Sequence, residues 1–257
     1  MITDSNRSVA SLAISTLLRT CSEEQVGKLL KQISAYLPDL GLEFKIETIQ
    51  ATGSLFTRLP LKAGVLLKFL ADCLKDDPNL QFREAVVDTI MLICCQANRE
   101  QALLILSEHI EDCMQATIQT KILNFLAVEG PKAKNPASYI RFVYNRVNLE
   151  KAVIRAAAVS ALASFAFQCP TLKQSILLLL HKCLNDSDDE VRERAHFYIS
   201  IIEEKPDQAE DFFASEGFID VEALEQYIAE NREELTTGDS DLEIELTYRQ
   251  TEQAVVE

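Results

Sequence analysis

The sequence predicts an all-α fold, a HEAT/armadillo-like α-solenoid of antiparallel helix pairs with a period of about 37 residues. Three observations predict it. A basic or polar residue followed at the third position by a small or apolar one recurs as Arg7-x-x-Ala10, Lys45-x-x-Thr48, Arg83-x-x-Val86, Gln119-x-x-Ile122, Arg155-x-x-Ala158 and Arg192-x-x-Ala195, at intervals of 38, 38, 36, 36 and 37. Only 7 Gly and 7 Pro punctuate 257 residues, too few for a sandwich or barrel in which every short strand needs its own turn. Hydrophobic residues make up 47% of the chain, enough for an ordinary core and too many for wholesale disorder.

A repeat of this length accommodates two helices of about 15 residues and two short turns. The first helix of each pair carries the mark, and the partners fall at 23–37, 60–75, 98–112, 136–148 and 170–184. Ser22 ahead of Glu23-Glu24-Gln25 reads as an N-cap with Gln three residues on. Pro60, Pro136 and Pro170 stand at partner-helix starts, where a missing N–H costs nothing. Gly41, Pro78, Gly130-Pro131 and Asn185-Asp186 fall between helices. The solenoid therefore takes residues 1–204 as five to six helix-pair units. An acidic helical segment follows over 205–235, with an amphipathic helix near Val221 to Leu235, and the composition of the acidic tail 236–257 predicts disorder.

Charge is distributed unevenly. The chain has 40 acids and 25 bases, a net −15, yet residues 203–257 hold 18 acids and 3 bases while residues 1–202 hold 22 of each. A nucleic-acid-binding surface spread over the molecule is excluded, because phosphate attraction needs a positive field. The solenoid itself is neutral and free to carry a local basic patch. One such stretch is Lys132, Lys134, Arg141, Arg146 and Lys151, with only Glu129 and Glu150 among them. It reads either as a solvated face or as a patch for an acidic partner or lipid head group.

Three marks have an aspartate six positions earlier: Asp39 before Lys45, Asp77 before Arg83 and Asp186 before Arg192. Such residues either cap helix N-termini or stand beside the basic residue of the next stacked unit, forming a ladder. Cys113 and Leu149 occupy that offset before Gln119 and Arg155, which predicts a bend or altered twist through the fourth and fifth units.

No constellation for bond-making chemistry emerges. The P-loop, Gly-x-Gly-x-x-Gly, Gly-x-Ser-x-Gly and His-Glu-x-x-His patterns are absent from the sequence. His109, His181 and His196 lie in different repeats and read as structural or surface residues. Asp186-Ser187-Asp188-Asp189-Glu190 opens like an EF-hand loop, but Val191 and Phe197 stand where its Gly and bidentate Glu belong, so a charged helix cap near Asp188 is the better account. The seven cysteines form no Cys-x-x-Cys pair and read as reduced, buried thiols. No cofactor or metal is predicted. No apolar run approaches the roughly 20 residues of a bilayer span, and the N-terminus lacks signal-peptide character, so the chain reads as cytoplasmic.

Glu129-Gly130-Pro131-Lys132-Ala133-Lys134-Asn135-Pro136, continuing through Tyr139-Ile140-Arg141-Phe142-Val143-Tyr144-Asn145-Arg146-Val147, resembles a stretch of the gamma subunit of coatomer, the COPI vesicle coat. Asn6-Arg7-Ser8-Val9-Ala10-Ser11-Leu12-Ala13, Lys31-Gln32-Ile33-Ser34, Ile110-Glu111-Asp112-Cys113, Arg155-Ala156-Ala157-Ala158-Val159-Ser160-Ala161-Leu162-Ala163 and Asp189-Glu190-Val191-Arg192-Glu193-Arg194-Ala195-His196-Phe197-Tyr198 are similar to the same family, in its order, over about residues 6–200. The resemblance implies the C-terminal half of a helical-solenoid trunk, starting in mid-solenoid and ending without the family's appendage. It implies a structural scaffold in vesicle-mediated protein transport between Golgi and endoplasmic reticulum and within the Golgi, peripheral on Golgi membranes and COPI-coated vesicles. The implied partners are the beta subunit in contact, zeta and delta in the assembled core, and the small GTPase Arf through an N-terminal trunk half that this sequence lacks. A HEAT-type adaptor holding a peptide in its groove is the alternative, but such grooves carry a Trp and Asn series and this chain has no Trp.

Overall fold

The computed structural model describes residues 7–204 together with Ala209, Phe212 and Phe213. Eleven α-helices, two short 3-10 helices and no strand occur among the described residues: α1 Arg7–Thr20, α2 Val26–Tyr36, α3 Leu42–Arg58, α4 Ala63–Asp76, α5 Leu80–Ile93, α6 Arg99–Asp112, α7 Ala116–Glu129, α8 Ala137–Leu149, α9 Ala152–Gln168, α10 Lys173–Cys183 and α11 Asp189–Glu204. The 3-10 helices are Leu37–Asp39 and Pro60–Lys62, the latter holding Pro60 ahead of α4. The chain divides into two compact units, residues 1–206 and 207–257. All eleven helices belong to the first; the expected helix near Val221 to Leu235 and the tail 236–257 lie outside the described residues.

The odd-numbered helices carry the repeat marks and pack one on the next as a first layer; the even-numbered helices form the second. Turn chemistry sets where several of the helices begin. Asn79 accepts from the Phe82 N–H at 3.2 Å, capping α5, and Asp188 accepts from the Val191 N–H, capping α11. Ser22 does not cap α2. Its carbonyl accepts from the Gln25 N–H at 3.0 Å, closing a tight turn that delays the helix to Val26. Pro170 likewise sits in a turn closed by Leu172 N–H on the Cys169 carbonyl, so α10 starts at Lys173.

How closely successive first-layer helices approach depends on the residues between them. Gly53 of α3 lies against Thr89 and Leu92 of α5, where an added Cβ would come within 3.2 and 3.3 Å. Gly130, just past α7, lies under the Phe165 ring of α9, and any Cβ there would overlap Phe165 Cζ. Ser164 of α9 donates to the Ala127 carbonyl of α7 at 2.7 Å. α9 is apolar on nearly every side, buries eleven residues and touches α7, α8, α10 and α11, which makes it the centre of the core. Neither α5 nor α7 contains a glycine. Glu84 and Asp88 of α5 face Lys121 of α7, and these two helices meet over far fewer residues than the other consecutive pairs.

Candidate interaction surface

The repeat marks from Lys45 to Arg192 are tied into the structure by hydrogen bonds and ion pairs; Gln119 is buried and the others half-buried. Lys45 Nζ pairs with Asp77 at 2.7 Å, and Asp77 also accepts from the Asn79 N–H. Arg155 grips Asp186 through two nitrogens at 2.6 and 3.0 Å, and Asp186 also accepts from the Asp188 N–H. Asp77 and Asp186 thus each brace their own turn and form a rung, and the rung runs to the mark of the preceding unit, not the following one; the corresponding partner of Asp39 would be Arg7. Arg83, Gln119 and Arg192 each donate to the carbonyl six residues back, at Asp77, Cys113 and Asp186, and Arg155 reaches Glu150 five back. Arg192 also bonds Asp189. The Arg7 side chain lies outside the described residues.

Of the two interruptions expected, at Cys113 and at Leu149, the second is corrected. Gln119 donates to Glu150 at 3.0 Å, so a carboxylate one residue past Leu149 closes that rung. The gap falls one unit earlier, where Cys113 stands opposite Arg83 and no carboxylate among the described residues pairs with this guanidinium.

Of the five cations in the basic stretch, Arg146 does not belong to a surface. Its side chain is 6% exposed and donates to the Ile110 carbonyl and, at 2.9 Å, to Glu150. Lys132 pairs with Glu129, which also holds Arg99 at 2.8 Å. Lys134, Arg141 and Lys151 are exposed. Lys132 and Lys134 precede α8 and Lys151 follows it, so about 20 Å of helix separates them, with Arg141 between. The geometry is a line across one helix and not a cluster.

The α7–α8 turn that presents two of these lysines is held by Glu100 of α6, which accepts from the Lys134 backbone N–H at 2.7 Å and from the Tyr139 hydroxyl at 3.1 Å. Burial, reinforced by Glu100, pushes the Tyr139 phenol up to about 12.

A second surface feature was not anticipated from the sequence. The turns leading from an even helix to the next odd one share an edge of the solenoid, and three successive turns expose apolar side chains there: Leu80 (43%), Met114 (92%), then Leu149 (71%) and Val153 (68%). Apolar residues in or beside polar turns were the available signal.

Nothing described resembles a reaction centre. His181 lies 4.0 Å from Glu203, His196 is exposed, and burial, with Arg83 nearby, pushes His109 below its ordinary value. Among the described residues no three His, Cys, Asp or Glu side chains are placed to hold a metal, and no helix is long and apolar enough to cross a membrane. All seven cysteines are free; burial pushes Cys73 up to about 12 and Cys94 and Cys183 up to about 11, far from thiolate reactivity.

Residues 1–206 match the family described as the adaptin N terminal region. Among curated proteins, human coatomer subunit gamma-2 is 46% identical over 207 residues, 80% of this chain and 24% of the relative. Coatomer subunit gamma of Drosophila melanogaster is 42% identical over 250 residues, 96% of this chain and 28% of the relative, and that of Arabidopsis thaliana is 46% identical over 204 residues, 79% and 23%. The chain spans about a quarter of the length of these relatives. A designed armadillo repeat protein aligns at 18% identity over 77% of this chain and 95% of that chain, with a TM-score of 0.45.

Proposed function

The chain belongs to the adaptin N-terminal-region family, and from that premise we propose that it is a scaffold segment of a coatomer gamma subunit. It acts in a COPI-type coat that carries proteins between Golgi and endoplasmic reticulum and within the Golgi. Its work is to hold partners at fixed separation; no bond is made or broken. Identity of 42–46% to coatomer gamma subunits over 79–96% of this chain carries the reading. The architecture fits it, because the polar side chains repeated along the solenoid are consumed by stacking one unit on the next, which leaves extended edges and helix faces for binding by area.

In this reading the segment belongs to the C-terminal half of the trunk and meets the beta subunit, with zeta and delta in the same core. Arf engages through the N-terminal trunk half, and the coat lies peripherally on Golgi membranes and vesicles from the cytoplasmic side. The apolar edge at Leu80, Met114, Leu149 and Val153 is the first candidate for the protein contact, and the line Lys134, Arg141 and Lys151 the second. Co-expression with beta coatomer, with and without the preceding half of a gamma trunk, tests the assignment: beta should co-purify with this segment, and failure in both settings would sink the scaffold role.

A further inference from the structure

We propose that the joint between the α5–α6 pair and the α7–α8 pair is the flexing point of the solenoid, built by a missing rung and by exposed ion pairs, with no glycine contact, between α5 and α7. Three independent observations meet there. First, of the rungs that tie a mark to the next unit, Lys45–Asp77, Gln119–Glu150 and Arg155–Asp186 are made, whereas Arg83 faces Cys113, which offers no carboxylate. Second, the α3–α5 and α7–α9 contacts are drawn tight by Gly53 and Gly130, while α5 and α7 are spaced by Lys121 reaching Glu84 at 3.0 Å and Asp88 at 2.9 Å. Those three side chains are 36–52% exposed, so water and salt compete for the pairs.

Third, the buried side-chain polar atoms without a hydrogen-bond partner among the described residues are Ser107 Oγ, His109 Nε2, Gln119 Oε1 and Arg146 Nε, and all four lie on α6, α7 and α8. Groups left in this condition favour any motion that admits water to them. The closed joint therefore lacks what the two joints flanking it have, a close glycine contact and a carboxylate rung, and holds polar groups that gain by opening. Arg99–Glu129 and Tyr139–Glu100 tether the second layer across it, so the motion is a bend about that tether, not a separation.

The test uses the full chain with genetically encoded, cysteine-independent spin labels on exposed residues two units apart. Gln50 and Asn124 span the joint; Thr20 with Gln81, and Asn124 with His196, lie on either side of it. The spanning pair should give a broader distance distribution than either control, broadening further with salt and with Lys121→Met. Cys113→Asp, which supplies the absent rung, should narrow the spanning pair alone. A spanning distribution no broader than the controls in the unmodified chain overturns the proposal whether or not the Asp variant folds, as does narrowing of all three pairs together.

Discussion

At the scale of the residue, the rungs set the acid stability of the solenoid. The Arg155 hydrogen bonds hold the Asp186 carboxyl below its ordinary 3.8. Burial pushes Asp77 upward, but Lys45 and the Asn79 N–H outweigh it and leave that group low as well. A carboxylate whose pKa is lower folded than unfolded adds stability above its unfolded value and loses it as pH falls through the folded one. Stability from these rungs is thus fully present above 3.8 and lost below it. Asp186→Asn should lower stability at neutral pH by about 2 kcal/mol and flatten the acid limb of the thermal-unfolding profile. Gly130→Ala forces a methyl into the Phe165 ring and should destabilise by about 1–3 kcal/mol in denaturant titration. The rung at Glu150 was hidden from the spacing of the sequence because Glu, one methylene longer than Asp, delivers its carboxylate from one position later. Arg146 was misread for a related reason: a helix can bury a cation when a carbonyl and a carboxylate meet it inside, and residue type alone does not show which face is met.

At the scale of the element, the periodicity of apolar residues was enough to locate helices wherever turn and helix chemistry agree. The expected spans 98–112 and 136–148 correspond to α6 at Arg99–Asp112 and α8 at Ala137–Leu149. They were too long at 23–37 and 170–184, where backbone hydrogen bonds close a separate turn before the helix begins and no side-chain pattern marks the change. α9 shows what periodicity cannot express, since a helix apolar on all sides has no preferred face and its role as centre of the core follows only from its neighbours. Its small residues are spacing elements. Ala158→Leu should overpack the contact with adjacent helices and cost about 1–3 kcal/mol, read as a lower Tm, whereas exposed Val153→Ser on the same helix should stay within about 0.5 kcal/mol.

At the scale of the whole molecule, fold class and family were legible in the sequence because both are spread over many repeats, while the binding surface was not, because it depends on which edge collects otherwise ordinary residues. Leu80, Met114 and Leu149 are separated by more than thirty positions each yet share one edge once the units stack. Met114→Asp combined with Leu149→Asp should leave the Tm nearly unchanged, since both side chains are already in water, and abolish co-purification with the beta subunit. Retained co-purification would favour the line of Lys134, Arg141 and Lys151 along and on either side of α8 instead.

The crowding of the core around α9 also has a consequence in time. In a solenoid each unit gains stability only from its neighbours, so ordering starts where neighbouring contacts are richest and spreads outward. Here that place is near the C-terminal end of the described helices, and the weakest joint lies between it and α1. A ribosome releases α1 first and α9 much later. Within this segment the richest template is therefore made after the helices it would order, and pulsed hydrogen exchange during refolding should protect α9 before α1.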